Sequence, residues 1–223
     1  HVGQEAPVLC IGGRDSPTVG FVSSVSLIFG TQAVSFIVEV DVAGVTSGGF
    51  GESLSSIGDQ NLDGFGDLAA GLPLLNGEGG IAIMLLDAAS KVIFSNILSS
   101  ASAPFSGSSF VAAGAGFGKI IEPAGDVNND GIPDLLVAKS PDAGIILLNR
   151  VGTASNIISL GGPDRQTIPG EFAGSQFAEA IVSLGDADGD GFIDLFASAP
   201  GMSDRDFAAT NNRQFGAFFV LHS

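Results

Sequence analysis

The chain has 223 residues, 45% of them hydrophobic, and carries 24 acidic against eight basic side chains for a formal net charge of −16. That composition excludes a disordered polar tail, and the charge disfavours nucleic acid or an anionic membrane surface as a partner. Thirty-three glycines and ten prolines punctuate short runs of Val, Ile, Leu and Phe, the texture of many strands joined by turns rather than of long helices. No run reaches the roughly 18 to 20 apolar residues that a membrane-spanning helix needs, so no membrane span is expected. The sequence opens at His1 with no charged-then-apolar leader, as a processed mature chain or an excised segment would.

In chain order, "PVLCIGG", "FVSSVSLIFG" and "VSFIVEVDV" are the first strand candidates. The single Cys10 lies in the first of them; it has no intrachain disulfide partner and reads as a buried structural thiol. Next comes "GFGESLSSIGDQNLDGFGDLAAGLP" (49–73), followed by "GIAIMLL" and "KVIFSNIL". The Ser-rich stretch "SNILSSASAPFSGSS" (95–109) reads as an exposed connection. A second unit, "GFGKIIEPAGDVNNDGIPDLLVAKSP" (116–141), leads to "GIILLN" and "NIISL"; a third, "QFAEAIVSLGDADGDGFIDLFASAP" (176–200), leads to "GAFFVLHS". Phe50, Phe117 and Phe177 each stand nine residues before the first Asp of an acidic loop, and the loops recur after 67 and then 60 residues. Such a period signals a repeat architecture.

Each acidic loop is flanked by two short apolar or alternating runs, so it is expected to join two strands as a hairpin. Two further strands complete a four-stranded antiparallel sheet, which must stack on its neighbours because both faces are apolar. That is the logic of a β-propeller blade. The expected organisation is all-β, with a partial blade over 1–47, blades over 48–114 and 115–174, and a partial blade over 175–223. Fourteen strands result, in an array that reads as cut at both ends.

The loops "DQNLDGFGD", "DVNNDGIPD" and "DADGDGFID" hold ten of the 24 acidic residues. Ca²⁺ takes six to eight oxygen ligands, and a loop offering side chains at alternate positions can wrap it once a glycine permits the turn. The expected ligands of the first loop are Asp59, Asn61, Asp63 and Asp67, with the backbone carbonyl of Phe65; Gly64 makes the turn. In the second they are Asp126, Asn128, Asp130, Asp134 and the carbonyl of Ile132, with Gly131. In the third they are Asp186, Asp188, Asp190, Asp194 and the carbonyl of Phe192, with Gly191. The opening is that of an EF-hand loop, but Ala70, Val137 and Ala197 stand where its bidentate Glu would fall. A hairpin is therefore expected, holding about three Ca²⁺ per chain, because carboxylates at this spacing repel one another without a cation.

The series Phe-Gly, nine residues to Asp, "D-x-[ND]-x-D-G-x-x-D-L", then Gly-Leu-Pro or Ser-Ala-Pro, resembles the FG-GAP repeat of integrin alpha-subunit β-propellers over about 49–200. The resemblance implies that the hairpin between a blade's first two strands binds Ca²⁺, and that about seven blades close a ring. The sequence departs from the pattern at Phe177-Ala178, which replaces Phe-Gly, and at "AKSP" in the second unit. These changes touch strand ends, not ligands.

The expected function is a non-enzymatic, extracellular, calcium-binding module for adhesion, or a structural subunit of a surface or matrix assembly or filament. Its partners would be other copies of itself or further blades of a longer parent chain, with an extracellular protein or glycan as a candidate ligand. The competing expectation is an accessory propeller domain of a secreted lipase, lyase or glycan-processing enzyme. No catalytic residue is assigned: His1 and His222 lie at the termini, and Asp15, Glu78, Asp87, Asp142 and Asp164 show no convergent spacing. With no Trp or Tyr the chain lacks the residues best suited to stacking on sugars, and its seventeen Phe read as core. No N-x-[ST] sequon occurs.

Overall fold

The computed structural model describes residues 22–29, 32–39, 49–88, 91–102, 104–105, 116–139, 142–160, 176–189, 194–201 and 217–221, with backbone alone for the first two and the last of these stretches. The described elements are thirteen strands and one 3-10 turn. β1 (Val22–Phe29) and β2 (Gln32–Glu39) form an antiparallel pair. β3 (Leu54–Gly58), β4 (Asp67–Gly71), β5 (Gly80–Leu86) and β6 (Val92–Ser99) form a four-stranded antiparallel meander, interrupted after β4 by the 3-10 turn Leu75–Gly77. A second meander holds β7 (Ile120–Gly125), β8 (Asp134–Lys139), β9 (Asp142–Leu148) and β10 (Ala154–Ser159). β11 (Ile181–Gly185), β12 (Asp194–Ala199) and β13 (Ala217–Leu221) make a three-stranded sheet. The remaining strand candidate, "PVLCIGG" with Cys10, lies outside the described residues.

The middle strands of the two meanders are apolar on both faces because both faces are buried. Along β5, Ile81, Ile83 and Leu85 face one layer while Ala82, Met84 and Leu86 face the other, the period-two alternation of a strand split between two cores. The first of these layers joins the two meanders, and Leu135, Val137 and Ile146 contribute its far side. The next layer holds Leu136, Ala138 and Ile145 from the second meander against Ile181, Leu195 and Ala197 from the last sheet. Each fully buried Leu or Ile contributes about 1.5–3 kcal/mol relative to exposure, so stacking rather than strand pairing holds the sheets together. β7 packs against β3 on one side and β11 on the other, which brings the first strands of successive sheets together as in propeller-type blades. Among the described residues no closed ring is found, and no helix is long and apolar enough to cross a membrane.

The repeated Phe has one job in all three units. Phe50, Phe117 and Phe177 are buried in three separate layers, Phe117 on the side of its sheet that faces the first meander and Phe177 on the side that faces the second. Phe117 lies 5.7 Å, centroid to centroid, from Phe105, and its neighbour Gly118 accounts for the glycines of the motif. A Cβ on Gly71 would sit 1.9 Å from the Gly118 carbonyl oxygen, and a Cβ on Gly118 would sit 2.1 Å from the Gly80 oxygen. The two meanders thus touch backbone to backbone, with Phe117 N–H donating to the Glu78 carbonyl, Gly116 N–H to the Pro73 carbonyl and Ser53 Oγ to the Gly118 carbonyl.

Two expectations are corrected here. The stretch 95–109 is not simply an exposed connection: Ser95–Ser99 belong to β6, and Leu98 and Phe105 are buried. Apolar residues spaced among the serines dock on the core. Nor are all phenylalanines core, since Phe65 and Phe94 are exposed, one on a loop tip and one on the outermost strand.

Candidate metal-binding hairpins

The acidic loops connect β3 to β4, β7 to β8 and β11 to β12, and each is entered in the same way. A register shift before Gly58, Gly125 and Gly185 bulges the first strand, and these glycines have φ of 73, 70 and 67°. The extra residue tightens the local twist and re-aims the chain into the loop.

In the first loop both Asp59 oxygens point inward. Asp63 N–H donates to Asp59 Oδ1 at 2.9 Å and Gly64 N–H to Asp59 Oδ2 at 2.8 Å. Asn61 Oδ1 accepts from Asp63 N–H at 3.0 Å, while Asn61 Nδ2 donates to Asp63 Oδ2 at 2.9 Å. Phe65 N–H donates to Asp63 Oδ1 at 2.9 Å. The second loop repeats this pattern with Asp126, Asn128, Asp130, Gly131 and Ile132, each distance agreeing to within 0.1 Å. Two loops of different sequence at positions two, four, seven and eight thus share one geometry. The N–H groups aimed at Asp59 and Asp126 offset part of the carboxylate repulsion, so the loop shape is supported by backbone dipoles as well.

The ninth position plays a second part that spacing alone did not indicate. Asp67 is fully buried; its Oδ2 accepts from Gln60 N–H and its Oδ1 from Leu86 N–H on β5, both at 2.8 Å. Asp134 bonds in the same manner to Val127 and to Leu148 on β9. Each carboxylate clips its hairpin to the third strand of its own sheet. Burial raises the pKa of Asp67 and Asp134 above the ordinary value, against the lowering effect of these N–H bonds, and the neighbouring Asp63, or Asp130 and Asp126, raise it further. A nearby cation would favour the charged form.

In the third loop Asp186, Asp188 and Asp194 each bring a carboxylate oxygen within 4.8 Å of the others. Asp194 is buried and accepts from Ala187 N–H, and Asp186 accepts from Gly189 N–H. Asp190 and Phe192 lie outside the described residues. Phe65 is exposed at the loop tip whereas Ile132 is buried. The donor set is all hard oxygen, without imidazole or thiolate, and so fits Ca²⁺ rather than zinc or copper.

Two further loop positions matter. The fourth is left-handed in every loop: Leu62, Asn129 and Gly189 have φ of 62, 58 and 83°. Asn and Gly at this place were the available signal in the sequence. The second position faces the next sheet. Gln60 reaches across to Asn149, and Val127 packs on the layer toward the last sheet.

Stacked antiparallel sheets whose first two strands are joined by acidic hairpins define an all-β repeat protein with propeller-type blades. Residues 126–197 match the family described as FG-GAP-like repeat, which supports the FG-GAP resemblance carried by the sequence. A stretch of 97 residues, 41% of this chain, is 35% identical to integrin alpha-PS5 of Drosophila melanogaster. The match spans 9% of the length of that protein.

Proposed function

We propose that this chain is a non-enzymatic, extracellular calcium-binding module that serves adhesion or builds a surface or matrix assembly. The observation that carries the reading is the repetition of one hairpin geometry. The first two loops agree hydrogen bond for hydrogen bond, and the third gathers three carboxylates within 4.8 Å. Ca²⁺, when bound, supplies the positive charge that lets these carboxylates remain ionised together. The side chains of Asp59, Asn61 and Asp63 would hold one ion, those of Asp126, Asn128 and Asp130 a second, and those of Asp186, Asp188 and Asp190 a third. Asp67, Asp134 and Asp194 complete the sets, with the backbone carbonyls of Phe65, Ile132 and Phe192. Millimolar calcium outside cells keeps even weak sites of this kind occupied.

Similarity to part of an integrin alpha subunit supports the adhesion side of the proposal. Other copies of the chain, or further blades of a longer parent chain, are its proposed structural partners. An extracellular protein or glycan is the proposed ligand. Titration calorimetry of the chelator-stripped chain with CaCl₂ tests the reading. Binding of about three ions at or below millimolar calcium is expected, with a rise in melting temperature, since the ion has little affinity for the unfolded chain. An absence of binding heat at several millimolar calcium, with no change in melting temperature, would overturn it.

A further inference from the structure

Gln60 occupies the second position of the first acidic loop, yet it is fully buried. Its backbone N–H is fixed by Asp67, and its side-chain Nε2 donates to the carbonyl of Asn149 at 3.1 Å, across 89 residues of sequence. That carbonyl also closes the β9–β10 turn, accepting Gly152 N–H at 2.8 Å. The Asn149 side chain orders the rest of the turn, its Oδ1 accepting from Val151 and Thr153 N–H and its Nδ2 donating to Thr153 Oγ1. The first meander grips the turn at two more points. Asn96 Nδ2 donates to the Gly152 carbonyl at 3.1 Å, and a Cβ on Gly152 would sit 2.6 Å from Ile83 Cγ2.

A buried amide is an unexpected choice at this place. Val127 fills the same position in the second loop by apolar packing and Ala187 fills it in the third. Among the described residues Gln60 Oε1 is the buried side-chain atom without a hydrogen-bond partner, a cost that an apolar side chain avoids. What the amide provides is a directional bond from the acidic loop to the turn of the next sheet. Because Asp67 pins the Gln60 backbone and burial removes the freedom of its side chain, the loop and the turn move together.

We propose that Gln60 couples the first hairpin to the neighbouring sheet, so that cation occupancy at Asp59–Asp67 and closure of the Asn149–Thr153 turn are one linked equilibrium. The second hairpin, with Val127, lacks this link. The inference rests on the calcium reading above, and its test separates the two. Amide hydrogen exchange at Gly152 and Thr153 is measured in the full chain with and without Ca²⁺, alongside calorimetry. Calcium slows exchange at both amides by about fivefold or more in the wild type. Gln60→Val removes that response while the chain still binds calcium. Asp59→Asn, which weakens the first site and leaves the turn untouched, also removes it. Equal slowing in either variant, or no slowing in a wild-type chain that calorimetry shows to be loaded, overturns the coupling and leaves the calcium reading standing. No binding heat in the wild type overturns both.

Discussion

Leu62 holds a left-handed backbone, with φ of 62°, at a loop position where the sister hairpins have Asn129 and Gly189. Its side chain is 48% exposed, so little packing offsets a conformation that costs an L-residue about 1–2 kcal/mol. Leu62→Asn should therefore stabilise the metal-free chain by about 0.5–1 kcal/mol, read as a higher urea midpoint; a lower midpoint would show that the leucine side chain makes up the difference. A second residue-scale effect concerns Glu122 on β7, whose pKa burial raises above the ordinary 4.5. A folded-state pKa above the unfolded value gives a stability contribution that is present below the unfolded pKa and lost as pH rises through the folded one. Wild type thus carries that loss at pH 7 and not at pH 3.5. Glu122→Gln should gain melting temperature relative to wild type between these two pH values, and a constant difference would refute the assignment.

At the scale of elements, the acidic hairpin is one solution used repeatedly: a bulge at the end of the first strand, a left-handed fourth residue, and a ninth-position carboxylate fastened to the third strand. Its counterpart at the other end of the sheet is the backbone contact between Gly71 and Gly118. Gly71 has no positive φ, so its requirement is purely steric. Gly71→Ala should cost about 3 kcal/mol or more by forcing the sheets apart. Gly66→Ala serves as the control, since a Cβ there meets nothing within 4 Å and its φ is not positive. The pair is compared by thermal melting, and equal effects would mean that the close approach does not matter.

For the molecule as a whole, the last sheet differs from the two meanders in what covers it. Ile57 and Ala124, the bulge residues of the first two hairpins, are fully buried against the sheet that follows, whereas Leu184, in the same place, is 44% exposed beside the exposed Val182. If other copies or further blades stack there, Leu184→Asp should reduce self-association at micromolar concentration, measured by light scattering, and leave the melting temperature within a few degrees. A monodisperse wild-type monomer would refute association through this face.

The strands and hairpins were legible in the sequence because they depend on local signals. Apolar runs of strand length are bounded by glycine and proline, and the nine-residue acidic loops carry Asp and Asn at alternate positions. The second and third strands of each sheet, apolar on both faces, also announced that sheets must stack. Tertiary structure decided the rest. Spacing could not show that Asp67 and Asp134 serve the neighbouring strand, since Leu86 and Leu148 lie 19 and 14 residues away. Nor could it show that Gln60 reaches Asn149, or that Phe105 in a Ser-rich stretch docks on Phe117. The reason is one of range: a strand's period and a loop's acidic pattern are fixed by neighbours within a few residues. Which buried oxygen meets which N–H, and which glycine lets two backbones touch, depend on how separately formed sheets are brought together.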